Sequence, residues 1–267
     1  MSDDGPDFSD GNWSRNGETY YGSRPEPERS PETLPPPPPI SQFVFQPEDR
    51  KETLSGALSV WLQVLLYACS LFAFLAGIGG LRAAAASEDF FANSFASVDE
   101  WVNAEDFYQA FLALLYITSI AVFVLLIIFS FRAHKSCETI WKGPRKWARG
   151  WTVGAWFIPV ANAIITPMVW VETDRIASAR RHEGLVAEDW RKIGVRKMVV
   201  VWWSLYAVGQ TLLFAYGSAN SEDVVLDDYA PLMRVGAVGS FVLASSCVLA
   251  ALCVRRLGRA LSPTSIG

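Results

Sequence analysis

Five stretches of this chain carry no charged residue: Thr53–Leu81, Phe107–Phe131, Gly150–Val171, Met198–Ser221 and Val235–Val254. A helix needs about 20 predominantly apolar residues to cross the ~30 Å hydrocarbon core of a bilayer. At that depth every backbone polar group must be satisfied inside the protein, which leaves helices or closed barrels as spanning structures. The runs lack the alternation of period 2 that marks a membrane barrel, so helices are expected. The chain is read as an all-α integral membrane protein.

Residues 1–53 have a different composition. They hold 10 of the 15 prolines and 11 acidic against 5 basic residues. Such a segment cannot bury enough apolar surface to offset its ordering entropy, and a disordered, acidic, Pro-rich tail is expected. Pro35–Pro39 is an uninterrupted proline run, expected as polyproline II. It is either a docking peptide for an aromatic-lined groove or a solvated spacer, the plainer reading. Leu54–Gly80 is read as an uncleaved signal anchor, because its length is about twice that of a normal signal h-region.

Loop charges set the expected orientation, since Lys and Arg in short loops stay on the cytoplasmic side. Residues 132–149 hold six basic residues and one acidic, and 172–197 hold seven basic and five acidic. Residues 81–106 and 222–234 carry one basic residue each, against six and four acidic ones. The first two loops are therefore expected inside and the other two outside. Arg50 and Lys51, with Arg255, Arg256 and Arg259, put both termini on the cytoplasmic side. Two inside loops then flank 150–171, so this segment should not cross. Four spans are expected at about 54–80, 107–131, 198–218 and 235–254. They form a membrane domain over 54–260 with a short tail at 261–267.

The segment 150–171 contains Pro159 and Pro167, each lacking a backbone donor, with Asn162 between them, able to satisfy freed backbone groups. It is expected as a proline-broken element, either re-entrant or interfacial. Trp156, Pro159, Asn162 and Pro167, with Gln210 in the third span, are the candidate structural or path-lining residues. Trp141, Trp147, Trp151, Trp190, Trp202 and Trp203 fall near segment ends and are expected at headgroup level. Arg175–Lys197 is expected as a surface helix whose apolar side includes Ile176, Ala179, Leu185, Val186 and Trp190.

The block Trp151, Gly154, Trp156-Phe157-Ile158-Pro159, Ala161-Asn162, followed by Pro167, Arg175 and Ser178 and by the Trp202-Trp203 pair, resembles an uncharacterised bacterial membrane family, domain of unknown function 4328. The resemblance covers about residues 54–260. It implies a multi-pass protein of the bacterial plasma membrane, often preceded by a Pro-rich tail, with no assigned activity and no functional residue to carry over.

Chemical motifs are sparse. The apolar runs hold no ionisable Asp, Glu, Lys, Arg or His, the groups that mark proton relays and ion paths in membranes. His134, Cys137 and Glu138 lie close together in sequence, but no second cluster completes a metal site. Nucleophile elbows and phosphate-binding loops are missing from the sequence. The net charge of −4 argues against nucleic acid as a partner. No cofactor, metal or catalytic residue is expected, and the chain is read as a non-enzyme. Gly236, Ser240 and Ala244 repeat at four-residue spacing, a stripe that serves either a homo-oligomer or packing within one bundle, the plainer reading. Two functions follow. The first is a non-enzymatic scaffold or accessory protein in the lipid bilayer, presenting its Pro-rich tail to a protein partner beside a basic cytoplasmic surface. The alternative is a channel or carrier for a small uncharged solute, lined around Asn162.

Overall fold

The structure, a computed structural model, describes residues 13–15, 18–20, 56–93, 97–141, 145–179, 191, 194, 197–219 and 226–261. It divides into two units, 1–44 and 45–267. In the first, β1 (Trp13–Arg15) pairs antiparallel with β2 (Glu18–Tyr20), Trp13 opposite Tyr20. Between them the sequence reads Asn16-Gly17, a dipeptide that favours hairpins. The remainder of the expected disordered tail lies outside the described residues.

Among its described residues the second unit is helical: α1 (Gly56–Ala92), α2 (Val98–Ser136), α3 (Trp151–Gly154), α4 (Pro159–Ala179), α5 (Lys197–Ala219) and α6 (Leu226–Leu261). Four of these, α1, α2, α5 and α6, contain stretches long and apolar enough to cross a membrane. The helices outrun their apolar cores. α1 continues past Arg82 through the strong helix formers Ala83–Ala86. α2 starts at an N-cap, where the Ser97 side chain accepts from the Asp99 amide at 3.1 Å, and Asp99 and Glu100 complement the helix dipole.

α1 packs against both α2 and α6, and α6 packs in turn against α5. Small residues let the backbones approach. A Cβ on Gly79 would fall 2.9 Å from Tyr108 Cα, so α1 and α2 meet there almost backbone to backbone. The four-residue stripe on α6 turns inward: Gly236 lies against the Tyr108 hydroxyl and the Tyr216 ring, and Ser240 and Ala244 are buried. Beyond the apolar region, the Arg234 guanidinium donates 2.7 Å bonds to Glu88, tying α6 to α1 at the acidic end.

The third apolar run folds back as a hairpin whose two arms begin and end at the same end of the bundle. Its first arm is α3 and the turns to Ile158, and its second is α4. The first arm starts beside the carboxyl end of α2, where Arg149 pairs with Glu138. At its apex Trp156 meets Phe123, ring centroids 5.5 Å apart. The second arm returns to the same end, where Glu172 meets Arg145 and Asp174 meets Arg256. Phe123 lies about 16 Å along α2 from His134, at 1.5 Å rise per residue, roughly half of a ~30 Å hydrocarbon core. Phe157, Ile158 and Val160 at the apex are exposed apolar side chains, as suits contact with lipid.

The prolines act differently from the expectation. The break falls at Ala155–Ile158, and Pro159 is the first residue of α4, a position whose N–H has no helical partner to lose. Pro167 sits inside α4 without interrupting it. Ile176 and Ala179 belong to the end of α4, with Ile176 buried, and most of the surface helix expected after them lies outside the described residues.

Candidate functional site

Because α2 and α5 sit at opposite ends of the helix row, a cleft of about 290 Å³ opens between them. Ser119, Phe123 and Leu126 line it from α2, spaced to share one helix face. Trp202, Tyr206 and Gln210 face them from α5 at the same kind of spacing. Leu66 and Cys69 on α1 and Cys247 on α6 form the floor, and Trp156 from the hairpin apex closes one end.

Six aromatic rings form a chain of five contacts, a circuit that leaves α2 and returns to it at that end. From Phe123 on α2 the contacts run to Trp156 (5.5 Å), Trp203 (5.8 Å) and Trp202 (5.4 Å). They continue to Trp170 on α4 (5.0 Å) and return to α2 at Phe129 (5.7 Å). Most pairs are edge-to-face, the arrangement that ring quadrupoles favour. Trp202 and Trp203 are therefore internal, 3 % and 8 % exposed, and covered by protein on the sides where the sequence suggests an open surface. Their Trp-Trp spacing looks like an interfacial belt in sequence, and only the hairpin's return shows what covers them. Trp151 is exposed and touches Trp147 edge-on, while Trp190 lies outside the described residues.

Below this circuit a polar clamp holds the hairpin. Arg145 is the hub: Nη1 donates to the His134 carbonyl oxygen at 2.8 Å and lies 3.1 Å from His134 Nδ1. Its Nε faces Glu172 Oε1 at 3.4 Å, which also accepts from the Lys146 amide at 3.3 Å. Arg145 and Glu172 are 9 % and 5 % exposed. Alongside, Arg256 Nε stands 3.5 Å from Asp174 Oδ1, joining α6 to α4. Cys137 donates its thiol to the Thr173 carbonyl oxygen at 3.7 Å, and burial pushes that thiol up to about 12. The sequence cluster of His134, Cys137 and Glu138 is thus divided among Arg145, Thr173 and Arg149. Among the described residues no three His, Cys, Asp or Glu side chains gather as metal ligands.

Of the sequence candidates, Trp156 and Gln210 line the cleft. Pro159 is exposed, and Pro167 and Asn162 are half-buried in α4 away from the cleft lining. Asn162 Oδ1 is buried without a hydrogen-bond donor. The pairing of Arg145 with His134 and Glu172 gave no signal in sequence, since the partners stand 11 and 27 positions apart in ordinary loop composition.

Four bilayer-length helices, a hairpin folded back at one end and an aromatic cleft between them define a polytopic helical membrane protein. The chain belongs to the family described as Domain of unknown function (DUF4328), whose model matches residues 92–259. The match begins at the last residue of α1, whereas the resemblance was expected from about residue 54. No match was found among curated proteins or among solved structures.

Proposed function

We propose that this protein is a non-enzymatic scaffold or accessory protein of the bacterial plasma membrane, with both termini cytoplasmic. The hairpin base and the basic end of the bundle form its platform, and the Pro-rich tail recruits a protein partner. The observation that carries this reading is the Arg145 clamp. The hairpin's most deeply buried charges are used to fix it to α2, which suits a rigid presenting surface. The orientation is supported by the gathering of Arg149, Lys197 and Arg259 at one end of the bundle, in keeping with the distribution of basic residues across membranes. The channel or carrier reading has less support, because Asn162, on which it rests, stands away from the cleft.

Cross-linking in native membranes tests the proposal. The full chain should yield a discrete heterologous adduct that disappears when residues 2–50 are removed, with the membrane domain still inserted. Retention of every adduct after that deletion overturns the tail-docking function.

A further inference from the structure

We infer that the cleft between α2 and α5 is a binding site for one acyl chain of a bilayer phospholipid, inserted sideways from the membrane. This goes beyond the scaffold reading and does not depend on it. The cleft's depth places it in hydrocarbon. Along α2 its lining runs from Leu126 to Tyr116, about 12 to 27 Å from His134 at 1.5 Å per residue. Its mouth faces outward: Tyr116 and Ile120 both line it and are 52 % and 68 % exposed. An opening at that depth, on a helix long enough to cross a bilayer, meets lipid chains.

The lining selects the same occupant. It contains no Asp, Glu, Lys, Arg or His, so a charged group would be desolvated there without a counter-ion. The volume of about 290 Å³ lies at the lower end of small-ligand pockets, which run from about 300 Å³. It far exceeds the ~10–15 Å³ that one water needs, and Leu66, Val122, Phe123, Leu126 and Leu243 make much of its wall hydrocarbon. The rings of Phe123 and Tyr206 offer apolar faces along its walls, and Trp156 ends it towards the basic side. A chain seated there touches the hairpin apex directly, so occupancy braces the element that the Arg145 clamp holds at its base.

The experiment uses the full chain, reconstituted into vesicles of phosphatidylethanolamine and phosphatidylglycerol, re-extracted into fresh detergent and weighed by native mass spectrometry. Ser119→Phe and Cys247→Phe each place a ring in the cleft, and Ile117→Phe places one on the exposed face of α2 outside the lining. Wild type and I117F should retain one phospholipid, and S119F and C247F should retain it roughly fivefold less or weaker still. Equal retention in all four proteins overturns the inference, as does a retained mass that is a small neutral molecule or a free fatty acid, or the absence of any retained lipid. If the filled variants do not fold, wild type alone decides. After loading with chain-brominated phospholipid and transfer to unbrominated vesicles, quenching of tryptophan fluorescence should outlast bulk lipid exchange. Recovery at the bulk rate overturns the site.

Discussion

Arg145 grips the carboxyl end of α2 through His134, by the backbone carbonyl at 2.8 Å and the ring Nδ1 at 3.1 Å. A guanidinium has no acceptor and stays charged, so Nδ1 must accept and His134 is the neutral tautomer with its proton on Nε2. The same guanidinium turns its Nε to Glu172 on the returning arm of the hairpin. One side chain thereby joins α2, the loop and α4.

Removing Arg145 should be the most damaging single change in the clamp. Arg145→Met strands Glu172 in a site where it is 5 % exposed, and breaking a buried pair from one side costs roughly 3–5 kcal/mol. Pairing it with Glu172→Leu should recover most of that loss, because Glu172 Oε2 and Arg145 Nη2 already lack partners. Thermal unfolding in mild detergent, followed by near-ultraviolet circular dichroism, measures both. A double variant no more stable than R145M would show that the ion pair is not the seat of the effect.

Cys137 reports on the same clamp through pH. Its thiol ordinarily titrates at 9.0 and is pushed up to about 12 by burial. A group raised in the folded state stabilises it fully below pH 9, and that contribution is lost as pH rises towards 12. A water-soluble maleimide should therefore leave Cys137 unlabelled in the folded protein at pH 8 and label it in R145M, with the other three cysteines replaced by serine or alanine. Ready labelling of the folded parent at pH 8 would contradict the buried placement.

Sidedness separates a re-entrant hairpin from a fifth span. In a cysteine-free background, single cysteines at Arg149, Lys197 and Arg259 should react with an impermeant reagent from one side of sealed vesicles, and one at Glu100 from the other. All four positions are exposed. Opposite labelling of positions 149 and 197 would mean that the segment between them crosses.

Asn162→Leu should be neutral or stabilising by about 1 kcal/mol, since it removes a buried acceptor that has no donor. Solute flux into vesicles should be the same for the variant and the parent. A flux above that of empty vesicles, altered by this substitution, would revive the carrier reading.

Much of the architecture was legible because hydropathy and charge act locally. The four bilayer-length helices follow from runs of uncharged residues, and the basic loops on both sides of 150–171 set that run apart from the other four. The exact place of its break was not legible. Proline disrupts a helix interior but starts one equally well, and only the packed apex distinguishes Pro159 at a helix start from Pro159 in a kink.

The sequence by itself therefore determined the membrane class, the number of bilayer-length helices and the segment that turns back. Each of these depends on transfer free energy summed over neighbouring residues. The tertiary structure alone decided the aromatic circuit, the burial of Trp202 and Trp203, the Arg145 clamp and the cleft. Those depend on which helices lie side by side. In helices apolar on nearly every face, the inward and lipid-facing residues look alike in sequence, because lipid and protein interior are similar solvents for a hydrocarbon side chain.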